Sequence, residues 1–290
     1  MSLQIKQFLS NGSKQFPIGK IQIYNYIYKI YLYIFMEFSV PRLVFIVPYR
    51  DREEQYKKFD EKMKKVMANY NENEYKILYL HQCDDRSFNR GAIKNIGFLF
   101  VKQMYPEVYK NITLIFNDLD TTPSLKNKFE LKYETTEKIV KHFFGFNYTL
   151  GGIFSIKAKD FEKINGFPNF WTWGYEDNSI YERAIKNSLT INRDQFFDTK
   201  VDNIDHDLDN GIKTINRHEF DKYVNNINDG INTIRDLEMN YDEETGFVNV
   251  TNFQLPHSHK KEKDMKYDLR NGKSPFVKIR SKGTMKMVGF

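Results

Sequence analysis

The chain has 290 residues, with 44 Lys and Arg against 38 Asp and Glu for a formal net charge of +6. That length carries a sizeable core and so excludes a mini-protein held by staples, while a single cysteine, Cys83, excludes any intramolecular disulfide. Ten Lys/Arg and three Asp/Glu fall in residues 256–290, which leaves the rest close to neutral. Nucleic-acid binding by the folded part is therefore not expected.

Residues 1–40 read as an N-terminal extension. Ile21–Phe35 is apolar and aromatic, but Gln22, Asn25 and Lys29 interrupt it, and a membrane span needs roughly 20 mainly apolar residues. It is either a weak anchor or sequence ahead of a natural start at Met36. The lone cysteine favours a reducing, cytoplasmic setting, with membrane anchoring through residues 21–35 as the alternative.

Residues 41–255 show the alternation of an α/β domain. Arg42–Val47 is a continuous apolar run, as expected of a strand buried on both faces. Glu53–Tyr70 carries Tyr56, Phe59, Met63 and Val66 at helical spacing. A strand at Tyr75–His81, a helix from Gly91 to about Tyr105 and a strand at Ile112–Phe116 follow. The pattern predicts one catalytic domain, a mostly parallel central sheet flanked by helices, with its ligand beyond the strand C-termini. Residues 256–290 form a basic tail, whose alternative use is binding to an acidic surface.

Candidate chemistry gathers at the strand ends. Asp118 and Asp120 follow the third strand two residues apart, which in an extended chain points both to one side. Paired hard oxygens there suit Mg²⁺ or Mn²⁺ beside a phosphate, though polar strand ends with two acids are common. Arg50, Arg52 and Arg90 each follow a strand and offer bidentate bonds to phosphate, against the alternative of surface ion pairs. Thr149–Lys186 pairs Gly151 and Gly152, which allow close backbone approach, with Trp171, Trp173 and the acids Glu176 and Asp177 at a helix start. Rings beside a positioned carboxylate suit a sugar acceptor; a capped helix under buried tryptophans is the plainer account. His206 lies among carboxylates, either completing a Mn²⁺ shell or in a polar loop. His257 and His259 read as a solvated pair.

In order and spacing these pieces resemble the β-1,4-galactosyltransferase family, inverting glycosyltransferases with a GT-A fold. VPYRDREEQ at Val47–Gln55, Phe88-Asn89-Arg90 with Asn95-Ile96-Gly97-Phe98, and Phe116–Pro123 (FNDLDTTP) carry the likeness. So does Gly151-Gly152 through INGFPNFWTWGYED. The resemblance spans roughly residues 41–255. It implies that Pro48, Arg50, Arg52, Phe88 and Arg90 bind the uridine diphosphate of a UDP-sugar, with Asp118 beside them and Gly152 at the donor sugar. It further implies that Asp120 and His206 are Mn²⁺ ligands, that Trp173 lies on a loop closing over the donor, and that Asp177 is the base with Glu176 as its acceptor-binding neighbour. The expected activity is metal-dependent, inverting transfer of a hexose, foremost galactose, from a UDP-sugar to a hydroxyl of a glycan or glycoconjugate.

Departures from the family pattern mark what does not carry over. Asn203 stands where many members have a methionine metal ligand, and its harder amide oxygen raises tolerance for Mg²⁺. Thr149 stands where galactose-specific members have a tyrosine, so an N-acetylhexosamine donor is an alternative. Thr172, Tyr175 and Asn178 alter the loop and acid run, which leaves acceptor identity open and motivates a second alternative, a non-catalytic carbohydrate-binding relative. Oligomeric state is not readable.

Overall fold

A computed structural model describes residues 40–126, 130–199, 202–207, 211–223, 226, 228–271 and 275–276. Residues 1–39, including the apolar stretch at 21–35, lie outside it. Pro41–Phe290 forms one compact unit and Met1–Val40 another; the description below concerns the former. Among the described residues no helix is long and apolar enough to cross a membrane.

The first strand, β1 (Leu43–Tyr49), has Leu43–Val47 fully buried, as its unbroken apolar run requires. Helix α1 (Glu53–Val66) follows, with Glu53 and Glu54 in its first turn and Lys64 and Lys65 in its last, the arrangement its dipole favours. Its Phe59 and Met63 pack with Leu43, Phe45 and Val47 in one core cluster. Strand β2 (Tyr75–Gln82) leads to α2 (Arg90–Met104), whose N-cap Asn89 accepts a bond from the Ala92 amide at 2.9 Å. Next come β3 (Thr113–Asn117), β4 (Thr121–Pro123), β5 (Ile139–Phe144), β6 (Ile153–Lys157) and α3 (Ala158–Lys163). Helix α4 (Glu176–Lys186), β7 (Thr190–Asn192), β8 (Ile204–His206), β9 (Ile212–Ile215) and α5 (Arg217–Tyr223) precede β10 (Arg235–Asp242), β11 (Phe247–Gln254) and β12 (Met265–Asp268).

Eight strands form one sheet in the order β10-β11-β2-β1-β3-β6-β5-β7. The β11/β2, β2/β1, β1/β3 and β5/β7 pairs are parallel, whereas β6 and β10 run against their neighbours. The sheet is thus mixed but mostly parallel. Because β6 is antiparallel, its start at Ile153 lies beside the C-terminal ends of β3 and β5. The acid turn after β3 and the glycine pair before β6 therefore share one sheet edge.

Three expectations change. Asp118 and Asp120 are not on an extended strand: β3 ends at Asn117, and Thr121 N bonds back to Asp118 O at 3.0 Å across a turn. The two carboxylates consequently face different partners. His259 is not solvated; it stacks on Trp171 at 5.2 Å between centroids, bonds Asp264 at 2.9 Å, and its side chain is 6% exposed. The segment after residue 255 also contributes to the fold, since β12 pairs with β9.

Candidate active site

The site is built on the first two turns of α2. Arg90 and Lys94 are four residues apart and therefore share one helix face, which meets three acids. Arg90 Nη2 donates to Asp118 Oδ1 at 2.6 Å, and Nη1 lies 3.4 Å from Glu176 Oε1. Lys94 Nζ lies 3.5 Å from Asp118 Oδ1 and 3.4 Å from Asp177 Oδ1. Burial alone would raise the Asp118 carboxyl, but Arg90 and then Lys94 outweigh it and hold it well below the usual range.

Glu176 and Asp177 open α4, as their sequence position foretold, and they face different ways. Glu176 is 3% exposed; besides Arg90, its Oε2 accepts from the Gly174 amide at 3.1 Å. Its Oε1, beside Arg90, makes no hydrogen bond within the protein. Asp177 has one carboxylate oxygen at Lys94, while Oδ2 lies over Gly151, where an added Cβ would stand 2.7 Å from it. Burial pushes the Asp177 carboxyl up to about 6, with Lys94 opposing that rise and Glu176 adding to it. A carboxyl in that range is a competent proton acceptor near neutral pH.

The segment before α4 is held by side chains that the sequence had left without a role. Asn95 on α2 donates to Phe167 O at 2.8 Å and accepts from Phe167 N at 2.9 Å. Asn169 donates through its backbone amide to Asp229 Oδ2 at 2.7 Å. Between there and α4 the chain turns sharply, with Thr172, Gly174 and Tyr175 at φ of +73°, +115° and +69°. Trp173 is half-buried, and its amide donates to Thr214 O at 2.9 Å. Trp171, by contrast, is buried between Phe253 and His259 and offers no open face to a sugar.

A second group lies beside the first. Arg52 Nη1 donates to Asp120 Oδ2 at 3.1 Å, and His206 Nε2 is 3.8 Å from Asp120 Oδ1. The β4/β8 ladder sets this pairing: Thr121 lies opposite His206, and Asp207 N bonds Asp120 O at 2.8 Å. Asn203 is half-buried in the preceding turn, its carbonyl accepting from Ser124 N at 2.8 Å. Among the described residues no three His, Cys, Asp or Glu side chains converge on one point. One carboxylate and one imidazole do fit a borderline divalent ion that keeps open positions for oxygen ligands. A cavity of about 860 Å³ opens beside Asp120 and His206, lined also by Lys58, Lys62 and Phe146.

The other expected donor residues are placed unevenly. Arg50 gives its guanidinium to the carbonyls of Asp84 (2.8 Å) and Arg86, which ties the end of β1 to the loop after β2. Pro48 is buried within β1 and Phe88 half-buried before α2. Gly152 (φ +67°) accepts from the Asp118 amide at 3.0 Å, and a Cβ there would meet Phe144 O at 2.6 Å. Buried His142 supports the neighbouring glycine, its Nε2 lying 3.1 Å from Gly151 O. No motif marks His142 or Lys94. Their roles follow only from what β5 and α2 pack against.

Two family models match the chain. One, described as the N-terminal region of glycosyl transferase group 7, matches residues 38–130. The other, described as the N-terminal domain of galactosyltransferase, matches residues 139–207, and the two together take in more than half of the chain. The chain belongs to the β-1,4-galactosyltransferase family. The xylosylprotein 4-β-galactosyltransferase of Caenorhabditis elegans is 30% identical over 168 residues, 54% of this chain and 55% of the relative. Human β-1,4-galactosyltransferase 1 is 26% identical over 207 residues, 68% of this chain and 50% of the relative. This β-1,4-galactosyltransferase family member thus spans about half the length of the curated relatives it matches. The catalytic domain of Drosophila β-1,4-galactosyltransferase 7, solved with xylobiose, superimposes with a TM-score of 0.60 at 21% identity. The match covers 76% of this chain and 96% of that one. A mutant of the same protein, solved with manganese, UDP-Gal and xylobiose, gives 0.59 at 20%. The likeness establishes the GT-A fold.

Proposed function

We propose that the chain is a metal-dependent, inverting galactosyltransferase that moves galactose from UDP-galactose to a sugar hydroxyl. The observation that carries this reading is the Asp177 carboxylate. It is half-buried, raised to about 6, fixed through one oxygen by Lys94 and aimed over Gly151 with the other. The ligands named in the Drosophila structures, UDP-Gal, manganese and xylobiose, supply the substrate classes.

Asp177 Oδ2 takes the proton of the acceptor hydroxyl as that oxygen forms its bond to C1 of the donor sugar. The C1–O bond to the diphosphate breaks on the opposite face, its electron pair leaves with UDP, and the anomeric centre inverts. Glu176 acts by fixing Arg90 and the Gly174 amide, so that the acid cluster and the Trp173 turn keep one geometry. Arg52 sits beside Asp120, where its positive charge opposes the charge that develops on a departing diphosphate. Asp120 and His206, with Asn203 as third ligand, would hold Mn²⁺, or Mg²⁺ given the harder amide; bound there, the ion supplies charge neutralisation for the leaving group. Pro48, Phe88, Arg90, Asp118, Gly152 and Trp173 complete the donor side, with Arg50 acting through the β1 loop it braces.

The test is UDP release from a panel of UDP-sugars, with xylobiose among the acceptors. UDP-galactose is expected to give the highest rate, falling at least about tenfold when EDTA replaces Mn²⁺, the loss of one charge-stabilising contact being worth that much. A higher rate with a UDP-N-acetylhexosamine would reassign the donor. No release from any donor would make the chain a carbohydrate-binding relative.

A further inference from the structure

Lys94 is the least expected member of the acid cluster. It sits in a stretch of α2 where Ile93 and Ile96 are fully buried, and its own side chain is 2% exposed. An ammonium has three donors and no acceptor, and here each direction is taken. One meets Asp118 Oδ1 at 3.5 Å, one Asp177 Oδ1 at 3.4 Å, and the third lies over the Phe167 ring, 4.7 Å from its centroid. Asp118 does not need this cation, because Arg90 already donates to it at 2.6 Å.

Stability alone does not account for an ammonium here. An apolar side chain of similar volume would pack on Phe167 without desolvation cost, and buried ion pairs commonly lose to such isosteres. What the ammonium adds is a fixed contact to one oxygen of Asp177. The other oxygen is confined by Gly151, at 2.7 Å from the position of an added Cβ.

We propose that Lys94 is a positioning residue for the transfer step: its ammonium engages Asp177 Oδ1 and leaves Oδ2, over Gly151, to receive the acceptor's proton. The proposal rests on the reading of Asp177 as the base. It also joins the two substrates' sites, because the same ammonium contacts Asp118 on the donor side. The charged groups facing Asp177 are Lys94 and Arg90 from α2, Asp118 from the turn after β3, and Glu176 beside it on α4. Lys94 is the nearer of the two cations, so its removal favours the protonated carboxyl.

The experiment measures kcat/KM for acceptor-dependent UDP release between pH 5 and 9 in wild type, Lys94→Met and Lys94→Gln, with thermal unfolding and UDP binding as controls of folding. In wild type the acid limb is expected near pH 6. In either folded variant it moves up by about one pH unit or more, the size of shift expected from removing one close opposite charge, and kcat falls about tenfold or more at neutral pH. A purely structural lysine would lower the melting temperature and leave the limb in place. An unmoved limb in a folded variant therefore overturns the proposal, whatever happens to the rate. Turnover that survives in Asp177→Asn overturns instead the base itself, so the two failures are distinguishable.

Discussion

Gly151 sets how far the Asp177 side chain can advance over the start of β6. Its carbonyl is held by His142, and its missing Cβ is what makes room for Oδ2. In Gly151→Ala the methyl would have to displace the carboxylate or the β6 backbone. The expected result is a fall in kcat of about 100-fold, the scale of a misplacement near 1 Å, with UDP affinity little changed. A variant that keeps wild-type kcat would show that Oδ2 does not act from this position. At this scale the sequence displayed the acids and arginines well, since each ends a strand or begins a helix. It concealed Lys94 and His142, because a lysine in a helix normally reaches outward and a strand histidine has no local signature. Only the packing of α2 against Phe167 and of β5 against the glycine pair reveals them.

Among the elements, the segment from Phe170 to Tyr175 depends on its flanks. Trp171 stacks on Phe253 of β11 at 5.8 Å and on His259 at 5.2 Å, with the Arg86 guanidinium 4.9 Å from its ring centroid. This stack joins the segment before α4 to β11, the strand next to the edge of the sheet. Trp171→Ala is expected to cost about 3–5 kcal/mol in urea unfolding, as truncation of a buried aromatic does; a loss below about 1 kcal/mol would show that the stack carries no load. The elements β1, α1, β2, α2 and β3 were legible to within a few residues, because periodicity is strong there. So were β6, α3 and α4 around the glycine pair and the two acids, whereas the elements after α4 were not. β11 alternates buried Val248 and Val250 with Asn249 and exposed Thr251, a period-two signal that short polar strands blur. The pairing of β4 with β8, which brings His206 to Asp120, joins strands of three residues each and leaves no periodicity to read.

Across the whole molecule, the site draws on distant stretches of chain. Residues 38–130, matched by one family model, contribute Arg52, Arg90, Lys94, Asp118 and Asp120; residues 139–207, matched by the other, contribute Gly151, Asp177 and His206. The antiparallel β6 is the joint, since it sets the glycine pair beside the acid turn. The resemblance named these residues apart from Lys94, but not which would touch. The fold divides them into an ion-pair cluster around Arg90 and Lys94 and a second group around Asp120. It also pairs part of the basic C-terminal segment with β9 and brings His259 onto Trp171. The measurement that bears most directly on the central claim is acceptor-dependent UDP release by Asp177→Asn, with UDP binding titrated in parallel. The account predicts a loss of at least about 100-fold in kcat, with UDP affinity within about threefold of wild type. Turnover at the wild-type rate would contradict it.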